Sequence, residues 1–218
     1  MKGVDINIYG IAHPVRCLGP GCRLVLWVAG CYRRCEGCAS PTLQDPAAGK
    51  LIPVDHLARR ILAIRLPLDG ITLTGGEPVD QAQALTGLLD RLRAERPEWS
   101  TILYSGYTLE EIQGKGGAEG RLLDLTDILV DGPFERHIPA CHPLAGSGNQ
   151  KVHCLSSRGR QLKRRADEVL ATNFELGIGP DSTHLLIGIG AQRERTAVKT
   201  ALSRLNELNK RLEGRRLL

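Results

Sequence analysis

Cys31, Cys35 and Cys38 fall within GCYRRCEGC, a C-x3-C-x2-C spacing that gathers three of the chain's seven cysteines into one short loop. Two thiols suffice for a disulfide, and four close a zinc tetrahedron. Three thiolates on a 4Fe–4S cube leave one iron with an open coordination position for a substrate or cosubstrate. Gly30 and Gly37 give the loop the turns needed to wrap a cluster. A zinc site that borrows a fourth ligand from elsewhere, or three unrelated buried thiols, are the alternatives. Zinc sites usually pair C-x2-C units, and the Cys31–Cys35 interval departs from that habit.

Other residues with chemistry stand further along. Gly75, Gly76 and Glu77 in TLTGGEP offer close backbone approach, with carbonyls or a carboxylate to attract an ammonium; a double glycine between strand and helix also serves as a plain turn. SGYT at 105–108 ends a strand with a small residue and a glycine, leaving room for a ligand at Ser105, while Thr108 and Glu111 have the spacing of a helix capping box. Asp131-Gly132-Pro133 closes another strand and is also a common turn sequence. Asn149 and Gln150 bring amides to a polar loop, suited to sugar hydroxyls or a peptide backbone.

Arg33 and Arg34 would stabilise the extra electron of a reduced cluster and attract an acidic reductant, or stand as two solvated arginines. Tyr32 packs over the cluster or in the core. Cys17 and Cys22 precede the triplet, and Cys141-His142 with His153-Cys154 form a combination that could bind a second metal. No C-x2-C-x2-C insert announces an auxiliary cluster, and no nucleophile–histidine pair assigns a catalytic residue beyond the cluster ligands.

The elements that must hold these residues alternate. CRLVLWVAG reads as a strand running into the cysteine loop, and VDHLARRILAIR as a helix. GITLTGGEP is a strand and turn, with Pro78 opening the helix AQALTGLLDRLRAE. TILYSGYT and DILVDGPF are further strands, separated by a polar, glycine-rich stretch. The pattern is that of an α/β domain with a mainly parallel sheet, in which ligands collect at the strands' carboxyl ends. The cysteine loop, GGE, SGYT and VDGPF all stand at such ends and should share one rim.

From Ser156 the character changes. FELGIGPDSTHLLIGIG reads as a hairpin turning at 179–182, and the last helix sets Ala197, Ala201, Leu205, Leu208 and Leu212 on one face. Residues 156–218 carry 13 Lys and Arg against 7 Asp and Glu, so the chain's positive excess of +5 lies there. A solvated face is the ordinary reading of such a run, and no nucleic-acid partner is expected. With 42% hydrophobic and 24% charged residues the composition is that of a soluble globular protein. No apolar run reaches membrane length, and MKGVDINIYGIAHPV lacks a signal-like apolar core; a cytoplasmic protein with no membrane partner is expected.

CYRRCEGC resembles the C-x3-C-x2-C signature of the radical SAM superfamily, and TLTGGEP its second motif. PGCRLVLWVAGCYRRCEGCASPT, YSGYTLEEI, DILVDGPFE and GSGNQKV, in that order, resemble the activating enzymes of anaerobic ribonucleotide reductase over most of residues 15–155. The resemblance implies a partial (β/α) barrel for a core at 1–155 and stops there; the basic hairpin-plus-helix extension at 156–218 is read from its own residues, as a cover for the sheet or a dock for a different partner. The resemblance also implies a 4Fe–4S cluster on Cys31, Cys35 and Cys38 and S-adenosylmethionine at the open iron, with Gly75, Gly76 and Glu77 orienting its amino group. Ser105 would stand in the adenine or ribose region and Asp131 on the active rim, with Asn149 as a further cofactor contact, to ribose or to a partner's backbone. One electron from a flavodoxin- or ferredoxin-like donor would yield a 5′-deoxyadenosyl radical, which takes hydrogen from a glycine of a large protein partner. Direct modification of a peptide or small molecule, and a non-enzymatic electron carrier or redox sensor, are the other readings.

Overall fold

The computed structural model describes residues 4–169, 174–178, 184–189, 196–198, 200, 201, 203 and 204. A seven-stranded mixed sheet organises the α/β fold, in the order β3-β1-β2-β4-β5-β6-β7. Its strands are β1 (Asp5–Val15), β2 (Arg23–Val28), β3 (Lys50–Pro53), β4 (Gly70–Gly75), β5 (Ser100–Tyr104), β6 (Ile128–Asp131) and β7 (Lys151–Cys154). β2, β4, β5 and β6 run parallel at its centre, and antiparallel pairings add β1 and β3 on one side and β7 on the other. Parallel neighbours need crossovers. Here they carry α1 (Val54–Leu62), α2 (Ala82–Glu95), and the pair α3 (Leu109–Lys115) and α4 (Gly117–Asp124).

Strand alternation divides the core. Leu24, Leu26, Val28, Ile71, Leu73, Leu103 and Leu129 point to the face covered by α1 to α4, with Leu57, Ile61, Leu85, Leu88, Leu89 and Leu122 packed above them. Right-handed crossovers between consecutive parallel strands put these helices on one side. On the other face lie Val25 in one cluster and Ile102, Ile128 and Val130 in a second. At the amino ends of the strands Arg23 is fully buried: its guanidinium donates to Thr72 Oγ1, Ser100 Oγ and the carbonyls of Pro20, Ile71 and Ser100. This stitches β2, β4 and β5 together at the end opposite the cysteine loop. Burial lowers its pKa to about 10.

Six elements differ from the sequence expectation, among them the edge strand β3, which pairs with β1. β1 carries Gly10 and Pro14 and two register irregularities, which blur its Ile6/Ile8 alternation. The glycine-rich stretch holds α3 and α4, broken apart at Gly116, whose φ of 64° suits glycine. β7 directly follows the polar loop, where no strand was expected, and α5 (Ser157–Val169) precedes the hairpin. The expected hairpin is present as β8 (Phe174–Ile178) antiparallel to β9 (His184–Gly188); its turn lies outside the described residues. Ala197 and Ala201 are helical as expected, while Leu205, Leu208 and Leu212 lie outside the described residues.

The C-terminal segment is tied into the sheet's second face. Leu162 of α5 packs with Ile102, Ile128 and Val130, and Ile187 of β9 with Val15, Cys17, Leu18 and Val25. Glu175 of β8 accepts the backbone N–H of Arg16 at 2.8 Å. Among the described residues, no helix is long and apolar enough to cross a membrane.

Candidate cluster and cofactor site

The turns after the four parallel strands meet at one rim. The cysteine loop leaves β2 through Gly30, whose N–H donates to the Leu43 carbonyl, and the Cys31 N–H donates to Gln44, so a short 3-10 turn at 41–44 backs the loop. Arg34 takes a left-handed conformation, φ 49°, between Cys31 and Cys35. The three thiols are free and partly exposed, and the Ser40 N–H donates to Cys38 Sγ at 3.4 Å. Burial raises the Cys31 pKa, against a smaller lowering by a backbone hydrogen bond from Arg33. Among the described residues no three His, Cys, Asp or Glu side chains converge as ligands of a single ion. A zinc site needs its donors at one point, whereas a cube takes each thiolate on its own iron. Free, partly exposed thiols on one short loop fit the three-cysteine cluster.

The GGE turn packs directly on that loop. A Cβ on Gly76 would come within 2.2 Å of the Gly30 carbonyl, and one on Gly75 within 2.5 Å of the Val28 carbonyl, at a φ of 110°. On the Cβ side both glycines therefore make room for neighbouring backbone, β2 at Gly75 and the cysteine loop at Gly76. The Gly76 N–H donates to Val28 and the Glu77 N–H to Gly30. The Glu77 side chain turns inward and is 1% exposed. Its Oε1 accepts from the Val79 N–H and Ser105 Oγ, and its Oε2 from the Gly106 N–H. Burial raises its pKa against the pull of those three donors.

Ser105 thus serves as a link between β4 and β5, and its Oγ also accepts the Tyr107 N–H. Asp131 accepts the Leu109 N–H at 2.6 Å and lies 3.0 Å from His153 Nε2, a contact without hydrogen-bond alignment. Asn149 donates to the Pro133 carbonyl, while its Oδ1 is buried and unpartnered. Gln150 joins the same loop to β6 by donating to the Gly132 carbonyl. Thr108 and Glu111 form the capping box of α3.

Some sequence readings are corrected here. Tyr32 is 77% exposed and lies outside the core. The space over Gly106 is filled by Arg33, since a Cβ there would lie 2.4 Å from Arg33 Cδ. Cys141, His142, His153 and Cys154 form no ligand group, and strand geometry turns His153 and Cys154 to opposite faces of β7. Sequence reasoning gave no role to Asp80, which accepts from Tyr107 Oη at 2.9 Å, or to Tyr107, whose ring lies under the Arg33 guanidinium. The proximity of SGYT to GGEP at equivalent strand ends was the available signal.

The rim defines an α/β protein with a three-cysteine cluster loop. The family described as 4Fe-4S single cluster domain matches residues 17–153. The chain is 32% identical over 139 residues to the anaerobic ribonucleoside-triphosphate reductase-activating protein of Enterobacteria phage T4, covering 62% of this chain and 85% of that protein. To the protein of the same name from Vibrio cholerae it is 34% identical over 143 residues, covering 62% and 89%. A pyruvate formate-lyase-activating enzyme of Clostridium pasteurianum is 25% identical over 188 residues, covering 83% and 70%. The chain belongs to the 4Fe-4S single cluster domain family and, more narrowly, to the family of anaerobic ribonucleoside-triphosphate reductase-activating proteins.

Proposed function

We propose that this protein is a radical SAM enzyme that generates a glycyl radical on a large partner, an anaerobic ribonucleotide reductase. The observation that carries the reading is the meeting of the cysteine loop with the turns after β4, β5 and β6 at one rim. Cys31, Cys35 and Cys38 would hold the cluster. When bound and reduced, it supplies one electron to S-adenosylmethionine, giving methionine and a 5′-deoxyadenosyl radical that abstracts hydrogen from a glycine Cα.

The chain's own part is binding and orientation. Backbone carbonyls of Gly75 and Gly76 offer acceptors to the amino group, and Glu77, held by its internal donors, fixes their turn. Ser105 and Asp131 brace the adenosine side, and the buried, unpartnered Oδ1 of Asn149 offers an acceptor there. Exposed Arg34 gives the cluster face a positive charge for a flavodoxin- or ferredoxin-like donor. One-sided packing of α1 to α4 supports a partial (β/α) barrel with residues 1–155 as its core and 156–218 as an extension. Seven free cysteines suit a reducing compartment, the cytoplasm.

The test is anaerobic. Protein reconstituted with iron and sulfide is mixed with dithionite and S-adenosylmethionine, and 5′-deoxyadenosine is measured with and without the reductase. Formation by the wild type and its loss in Cys35→Ala, with a glycyl electron paramagnetic resonance signal on the reductase, is the expected result. An intact cluster with no cleavage even beside the reductase would favour an electron carrier.

A further inference from the structure

Arg33 sits between two cluster cysteines, yet its side chain leaves the cysteine loop altogether. Its stem crosses Gly106, and its guanidinium lies over the Tyr107 ring, 4.0 Å from the centroid. Nη2 reaches Glu111 Oε2 at 3.2 Å, the oxygen that also accepts the Thr108 N–H in the α3 capping box. Tyr107 is fixed in turn by its hydroxyl on Asp80, just beyond the GGE turn. The side chain is only 22% exposed, and its Nε is buried without a partner. A long, flexible cation held by a ring, a carboxylate and a glycine-sized gap on another turn is a fastener.

We propose that Arg33 is a positioning residue that fastens the cysteine loop to the turn after β5 and so holds a fixed positive charge beside the cluster. The effect on the cluster rests on the function proposed above; the fastening does not. Gly106 is its counterpart. Its backbone lies outside the left-handed region, so alanine is compatible with the local conformation, and the one severe clash of the added methyl is with Arg33 Cδ. Gly106→Ala therefore dislodges Arg33 while keeping its charge on the chain, whereas Arg33→Gln removes the charge and the fastener together.

The first readout uses the cluster-free protein. Trypsin cleavage after Arg34, read by mass spectrometry, reports opening of the loop. Both variants should be cut about tenfold faster than the wild type, the scale expected for losing a partly buried ion pair and its ring contact. The second readout is the midpoint potential of the reconstituted cluster. It should fall in Arg33→Gln, because a nearby positive charge favours the reduced state. Cleavage rates equal to the wild type's within about twofold in both variants would overturn the fastening. Faster cleavage in Arg33→Gln with an unchanged potential would overturn the electrostatic half. Failure of the wild type to take up any cluster would refute the proposed function and leave the trypsin comparison intact.

Discussion

Glu77 separates two ideas of what an acidic residue does in a GGE turn. If it bound a ligand's ammonium directly, its carboxylate would face the rim. Instead it is 1% exposed and accepts hydrogen bonds at 3.0 Å from the Val79 N–H, 2.8 Å from Ser105 Oγ and 2.8 Å from the Gly106 N–H. Replacing it with glutamine keeps one acceptor oxygen and turns the other into a donor. In the better placement Val79 and Ser105 keep their partner, and the Gly106 N–H is left facing an amide NH2. An orphaned buried donor costs about 1–3 kcal/mol, and weakening two charge-assisted bonds adds about 1 kcal/mol. Relief of the buried charge offsets part of this, as the raised pKa indicates. The expected net loss is about 1–3 kcal/mol in urea unfolding of the cluster-free protein, at unchanged m-value. Glu77→Ala, which orphans all three donors, should lose about 3–5 kcal/mol. A Glu77→Gln variant as stable as the wild type within about 0.5 kcal/mol, but unable to bind S-adenosylmethionine, would refute the positioning argument.

The remaining predictions concern the far end of the sheet and its second face. Arg23→Lys offers three donors where the guanidinium makes five hydrogen bonds, so at least two buried acceptors lose partners and unfolding free energy should drop by about 2–5 kcal/mol. The Cys17 thiol is pushed up to about 12, by burial first and then by Glu175. Between pH 9 and 12 the folded state therefore holds a proton that the unfolded state releases, and stability falls as pH rises, by at most about 1.4 kcal/mol per unit. Cys17→Ala should show a shallower alkaline decline than the wild type in urea titrations at pH 8, 9 and 10; parallel curves would refute the assignment. Truncation after Val169 removes Ile187 from its contact with Cys17, and a thiol reagent should then label Cys17, which is 2% exposed in the whole chain, many times faster.

What could be read from the amino acids followed the strength of each local signal. β4, α2 and β5 were legible because their apolar spacing is uninterrupted and GGEP punctuates them. β1 was hidden: its hydrogen bonds come from β2 and β3, while Gly10 and Pro14 break its local pattern. The same holds for α3 and α4, whose glycines lower intrinsic propensity but whose Ile112, Leu122 and Leu123 are buried in the main core. At the site, residue positions were legible and side-chain directions were not. Spacing brought Glu77 and Ser105 to neighbouring strand ends, but only packing could show the two side chains bonded to each other.

That distinction bears on how the rim works. In a sequence, Gly75, Gly76 and Gly106 read alike, as space for a ligand. In the fold the first is filled by the backbone of β2 at Val28, the second by Gly30 of the cysteine loop and the third by Arg33 from that loop. Gly76 and Gly106 thus join the loop to the turns after β4 and β5, while Gly75 seats the first of those turns on β2. Substituting Gly76 or Gly106 moves the cysteine loop. A Gly76→Ala variant should therefore impair retention of iron and sulfide, because its methyl would sit 2.2 Å from the Gly30 carbonyl, next to Cys31. Backbone cannot swing aside as a side chain can, so this loss should exceed that in Gly106→Ala, where Arg33 can give way. Iron and sulfide contents in the order wild type, Gly106→Ala, Gly76→Ala are expected. The reverse order would refute the argument that Gly76 is packed against the loop more rigidly than Gly106.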